Sequence, residues 1–177
     1  MIVAVLTGLA ALAAITGAGM RADRIARLVP SALVLLLMSA AGLATALGAQ
    51  TSGRLHAIVV VVGLIAAAVG GGLITTGVFD LVDDRPDVPD RSLRAAGLVL
   101  RGGAWVGVLE RLAVYATLAA RWPAGVAVVL AVKGLGRYPE LRSDDNTGLA
   151  ERFIIGTMVS LLWAALCVYA TTGPALR

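Results

Sequence analysis

The sequence predicts an all-α protein, a polytopic bundle of transmembrane helices, and three observations carry that expectation. Of 177 residues, 59% are hydrophobic and only 15% charged, against about 25% charged in a soluble domain; the mean hydropathy is +0.89. The apolar runs are continuous over about 17–22 residues, the length a helix needs to cross a bilayer, whereas the strands of a membrane barrel alternate over about ten. Arginines gather mostly between the runs. A chain of this length is expected to form one domain.

Six spans follow in order: 2–18, 28–48, 57–79, 102–120, 122–138 and 153–172. The first carries no charge, and Met1 to Leu6 lack the basic stretch that opens a signal peptide, so it is expected to be retained as a span. The second is a plain apolar run. The third is interrupted by Gly70, Gly71 and Gly72. Glycine costs about 1 kcal/mol in a helix interior, so either a neighbouring helix presses close there or the helix bends; Thr75 and Thr76 are expected to back-bond to the preceding turn.

The fourth span is distinguished by Glu110 and Arg111 in the middle of GGAWVGVLERLAVYATLAA. An ionised group near the bilayer centre costs at least ~2.5–3.5 kcal/mol and usually faces protein or a wet cavity. Gly103 and Gly107 form a small-xxx-small pair seven and three residues before Glu110, which predicts a tight helix–helix seam on the glutamate's face. The fifth span is short, starting with Trp122 and Pro123 and ending at Lys133, Gly134, Gly136, Arg137 and Tyr138. It is either a thin full span with Trp122 and Tyr138 as interfacial anchors or a re-entrant hairpin. The sixth follows Ser143 to Thr147, which read as a loop and helix N-cap, and Glu151 near the first turn.

The connections alternate in charge. Those at 20–27, 80–101 and after Arg137 are rich in arginine, while 49–56 carries only Arg54 and the fourth turn only Arg121. The positive-inside rule puts the rich ones in the cytoplasm and both termini outside. In the 80–101 connection, Asp80, Asp83, Asp84, Asp87 and Asp90 are interleaved with Arg85, Pro86, Pro89 and Arg91. They lack EF-hand spacing and the D-G-x-x-A-R pattern of alcohol phosphatidyltransferases, so they read as a solvated turn. Residues 93–100 suit a short interfacial helix.

No internal repeat is evident. The first three spans (1–79) read as a packing half, and 102–172 as a half that carries the site. Helical rise puts Glu110 about 12 Å deep from one side and Lys133 about 7–8 Å deep from the same side, close enough to pair. Arg137 lies one turn beyond Lys133 on the same face. Arg111 points about 100° away from Glu110 and needs another partner, with Glu151 or Glu140 as candidates.

Several classes of activity are excluded or unsupported. The net charge of +4 and pI near 10 come from residues that flank spans, not from one basic face, so nucleic acid is not expected as a partner. Cys167 is the sole cysteine and His56 the sole histidine; neither disulfide nor metal site nor cofactor is expected. No Ser/His/Asp set, H-E-x-x-H, Walker loop or dinucleotide fingerprint occurs, and no catalytic residue is assigned.

Three segments, G-V-L-E-R (107–111), A-V-K-G-L-G-R-Y-P-E-L (131–141) and A-E-R-F-I-I-G-T (150–157), resemble a group of uncharacterised bacterial membrane proteins that share a domain of unknown function. The resemblance implies that Glu110, Arg111, Lys133, Arg137, Glu140, Glu151, Gly156 and Thr157 belong together. It implies no activity. The expected function is a multi-pass protein of a bacterial cytoplasmic membrane with a polar, cytoplasm-facing site that binds or moves an anionic ligand or lipid headgroup. The alternatives are an accessory subunit or homo-oligomer whose charges only set helix register, and a lipid-phosphate enzyme with Glu110 as base.

Overall fold

In lipid a backbone N–H or C=O has no water to bond, so a run of Ala, Val, Leu and Gly closes its hydrogen bonds within itself as a helix. The computed structural model describes residues 1–18, 24–49, 52–82, 103–141 and 149–173, and among these it contains six helices and no strand. They are α1 (Ile2–Ala18), α2 (Arg24–Ala46), α3 (Gly53–Val82), α4 (Gly103–Ala119), α5 (Ala124–Leu141) and α6 (Leu149–Thr172). Three stretches, Leu28–Ala46, Gly53–Leu81 and Ala150–Thr172, are long and apolar enough to cross a membrane, which marks a membrane-embedded protein. Helices α1 and α4 are 17 residues each, and α5 carries Lys133, Arg137 and Glu140 among its 18.

Helices α2, α3 and α6 begin about a turn earlier than hydropathy predicts, and α3 also ends later, at Val82. An apolar run stops at the first charge, whereas the backbone ladder continues through Arg24, Arg54 and Glu151, because it is closed by main-chain groups that every one of these residues carries. Helix α5 is unbroken over its 18 residues. The acidic turn beyond Asp80, the segment 93–100 and the expected N-cap at 143–147 lie outside the described residues.

Helix α3 is the axis of the bundle, packed against α1, α2, α4 and α6. Four donors from three of those neighbours reach its backbone carbonyls. Tyr115 Oη of α4 donates to Val60 O at 2.9 Å, Trp163 Nε1 of α6 to Ala66 O at 3.3 Å, Arg111 of α4 to Ala68 O, and Ser31 Oγ of α2 to Leu73 O at 3.1 Å. Each carbonyl already serves the helix ladder and offers its second lone pair. Access is steric. A carbonyl at position i points toward residues i+3 and i+4, and there stand Gly63, Gly70, Gly71 and Gly77. A methyl on Gly63 would strike Thr171 and lie 2.9 Å from Tyr115 Oη; one on Gly70 would lie 2.8 Å from the Trp163 ring; one on Gly77 would lie 3.2 Å from Ser31 Oγ. These four glycines of α3 therefore bare its backbone to its neighbours, which is close packing. Thr75 and Thr76 back-bond as expected, to Gly71 O at 2.7 Å and Gly72 O at 3.1 Å.

The core is drawn from α1, α2, α3 and α6, including Ala14, Val34, Met38, Ala66, Trp163 and Cys167, with Tyr115 contributed by α4. Helix α6 belongs to the packing core, and α5 packs chiefly against α4 at the edge. Small residues explain why: α6 presents Ala164, Cys167 and Ala170, all fully buried, to its neighbours.

Helices α2 and α4 end alike. Gly48 has φ 92° and Arg121 φ 58°, both left-handed. Ala49 N bonds Ala44 O and Gly48 N bonds Thr45 O, while Trp122 N bonds Thr117 O and Arg121 N bonds Leu118 O. Both are the double-bonded C-terminal turn that favours glycine at its left-handed position; α4 makes it with arginine.

Candidate functional site

The site lies where α4, α5 and α6 meet. Lys133 Nζ donates to Glu110 Oε2 as an ion pair, with both side chains mostly buried, 16% and 13% exposed. Helical rise anticipated this pairing from the two residues' depths, and the antiparallel packing of α5 on α4 delivers it. The ammonium also stands 5.4 Å from the centre of the Phe153 ring, a cation–π contact that brings the start of α6 level with Lys133. One turn beyond, Arg137 is half-buried. At the neighbouring end of α3, Arg152 lies 4.9 Å over the ring of Phe79, and Gly156 lets α6 close on Phe79 and Thr75.

Arg111 has a different role from the one its sequence suggests. Among the described residues its partners do not include Glu151: Nε and Nη2 donate to Ala68 O at 3.0 and 2.7 Å, and Nη1 reaches Ser160 Oγ at 3.4 Å. The planar guanidinium grips one carbonyl with two parallel donors, which a lysine cannot do. The side chain is 6% exposed and lies so close on Gly71 that a methyl there would meet its Cδ and come within 2.6 Å of Nε. Of the expected Gly103–Gly107 seam, the surroundings of Gly103 lie outside the described residues. A methyl on Gly107 would meet only the Arg111 guanidinium, at 3.2 Å, within its own helix. Gly107 makes room for a side chain, not for a second backbone.

Glu110, Arg111 and Lys133 line one cavity together with Thr157, Ser160, Val114, Val129, Leu130 and Leu161. Its volume is ≈ 10 Å³, about the room for one water. Two buried polar atoms on it, Glu110 Oε1 and Thr157 Oγ1, have no hydrogen-bond partner among the described residues. Of the residues the motifs group together, Glu110, Arg111, Lys133 and Thr157 therefore converge, Arg137 and Gly156 lie adjacent, and Glu151 is exposed on the first turn of α6 away from the cavity. The side chain of Glu140 lies outside the described residues. Sequence reasoning missed Ser160, which lies one turn after Thr157 on the same face of α6, a spacing that was legible. It also missed Phe153 and the α3 carbonyl, which carry no such mark.

Among the described residues no group of three or more His, Cys, Asp and Glu side chains is placed to hold a metal. Comparison with protein-family models, with curated proteins and with solved structures finds no significant match to the chain.

Proposed function

We propose that the chain is a six-span protein of a bacterial cytoplasmic membrane, related to the family its three motifs resemble. Both termini lie outside, and it binds a small anion at the cytoplasmic ends of α4, α5 and α6. The observation that carries this reading is a charge imbalance. The cavity is lined by two cations, Arg111 and Lys133, and one carboxylate, Glu110, a net charge of +1. An uncompensated charge at membrane depth is costly, and an anion beside Lys133 removes the imbalance. Arg111 is held on α3 through Ala68 O and through Ser160, so it supplies field and rigidity, while Lys133, at the protein edge, supplies the contact. That assignment also weighs against a phosphate-cleaving enzyme, which needs its arginine turned to the substrate.

The spans follow the arginine-rich and arginine-poor connections. The ends of α3 and α5 and the start of α6, where Lys133 meets Phe153 and Arg152 meets Phe79, then lie on the arginine-rich side.

The test is equilibrium binding of radiolabelled phosphate to protein in phosphatidylcholine nanodiscs. Wild type is expected to bind, and the Glu110→Gln/Lys133→Gln variant, which leaves no naked charge from the pair, to lose at least tenfold in affinity while keeping its helical circular dichroism. Equal binding by the two proteins contradicts the reading.

A further inference from the structure

The two oxygens of Glu110 live in different surroundings. Oε2 accepts from Lys133, whereas Oε1 is buried on the cavity and has no hydrogen-bond partner among the described residues; nor has the hydroxyl of Thr157, which lines the same cavity. The cavity of ≈ 10 Å³ is far too small for an oxyanion, which must sit at its mouth, beside the Lys133 side chain, which is 16% exposed. The cavity itself suits something smaller, a proton on Oε1 directed at Thr157 Oγ1, directly or through one water.

Charge balance says when that proton is needed. Among the described residues, the charged and polar groups that line the cavity with Glu110 are Lys133 from α5, Arg111 from its own helix, and the hydroxyls of Thr157 and Ser160 from α6; Arg137, one turn beyond Lys133, does not line it and is engaged in a contact of its own. Arg111 and Lys133 against Glu110 give +1. A monovalent anion brings the cluster to zero. A divalent oxyanion brings it to −1, with two anionic groups sharing one ammonium where water is scarce. Arg111 cannot turn to help, because Nε, Nη1 and Nη2 each donate to Ala68 O or Ser160 Oγ. One proton on Glu110 restores neutrality, turns Oε1 from an unpaired acceptor into a donor, and gives Thr157 Oγ1 its missing partner.

We propose that the site takes up a divalent oxyanion, sulfate-like or a phosphomonoester, together with one proton, which lands on Glu110 and is returned to water when the anion leaves. This rests on the anion reading above. No covalent bond changes; the proton comes from water on the anion's side. Because binding consumes a proton, affinity rises as pH falls. One linked proton makes the dissociation constant rise about tenfold per pH unit wherever Glu110 is ionised in the empty site and protonated in the filled one.

The experiment is binding of radiolabelled sulfate, which does not titrate near neutrality, to the full chain in phosphatidylcholine nanodiscs between about pH 6 and 8. Nitrate serves as a monovalent competitor. Expected are an affinity for sulfate that weakens about tenfold per pH unit in wild type, a nitrate competition constant that is flat with pH, and flat, tight sulfate binding in Glu110→Gln. Uptake of one proton per sulfate by wild type, read with an indicator dye in unbuffered medium, is the expected companion result and does not depend on the variant folding. Nanodiscs doped with phosphatidic acid separate the sources: competition with sulfate assigns the site to a lipid phosphomonoester, and its absence to a free oxyanion. Sulfate binding that is flat with pH and takes up no proton overturns the coupling and leaves the anion site standing. No binding of sulfate or nitrate at any pH overturns both.

Discussion

At the scale of single residues, Gly71 and Gly72 are neighbours with opposite duties. A methyl on Gly71 runs into Arg111 Cδ and Nε, whereas one on Gly72 meets nothing within 4 Å. Gly71→Ala is therefore expected to destabilise the protein by about 1–3 kcal/mol through overpacking. Gly72→Ala should be neutral or gain up to about 1 kcal/mol from helix propensity. Thermal melts in mild detergent check both, and equal losses for the two would refute the packing of Arg111 on α3. The loss at Gly71 should shrink in an Arg111→Ala background, the mark of direct coupling. How much of this was legible depends on what each side chain binds. The Glu110–Lys133 pair could be read from helical rise, because both partners are ionised side chains at computable depths. The anchoring of Arg111 could not, because its acceptor is the carbonyl of Ala68, a group every residue carries; the only trace was a run of three glycines whose neighbour was unknown.

At the scale of helices, all six were legible as apolar runs; the bounds of α1 and α4 were legible to within a residue, whereas the starts of α2, α3 and α6 were not, since backbone hydrogen bonding continues past the first charge. The turn from α4 to α5 is tight, its 120–123 backbone closed by the same bonds that close α2 around Gly48. Arg121 occupies the left-handed position at φ 58°, where a β-carbon costs of order 1 kcal/mol. Arg121→Gly is expected to raise stability by a few tenths to about 1 kcal/mol, partly offset by the freedom glycine adds to the unfolded chain. Denaturant titration of the variant reads it, and a loss beyond 1 kcal/mol would mean that the arginine side chain, not the turn, holds this end. Helix α5 is fastened by that turn, by its packing on α4 and by the Lys133 pair. Gly134 and Gly136 face open space, so this helix has few packed contacts to lose if Lys133 exchanges its partner for an anion. The order of packing, with α6 joining α1–α3 and α5 left at the edge, was not legible, because every helix is apolar on most sides and small residues occur in all of them.

At the scale of the whole molecule, the proposed topology makes a labelling prediction that the chain is well suited to. Its one cysteine, Cys167, is fully buried in the core, so introduced cysteines report alone. With a membrane-impermeant maleimide on intact cells, Ser52→Cys is expected to label from outside and Asp87→Cys only after permeabilisation. Labelling of both from the same side would remove the six-span arrangement and with it the cytoplasmic placement of Lys133. Whether the Glu110–Lys133 pair is a binding site or a register pin is decided by a high-resolution structure of the protein in lipid with sulfate present. Anion or headgroup density is expected at the mouth of the cavity within hydrogen-bonding reach of Lys133 Nζ, with Arg111 still on Ala68 O. An ion pair that stays closed, with no density beside Lys133 at saturating sulfate, would contradict the binding site and leave the charges as a device for helix packing.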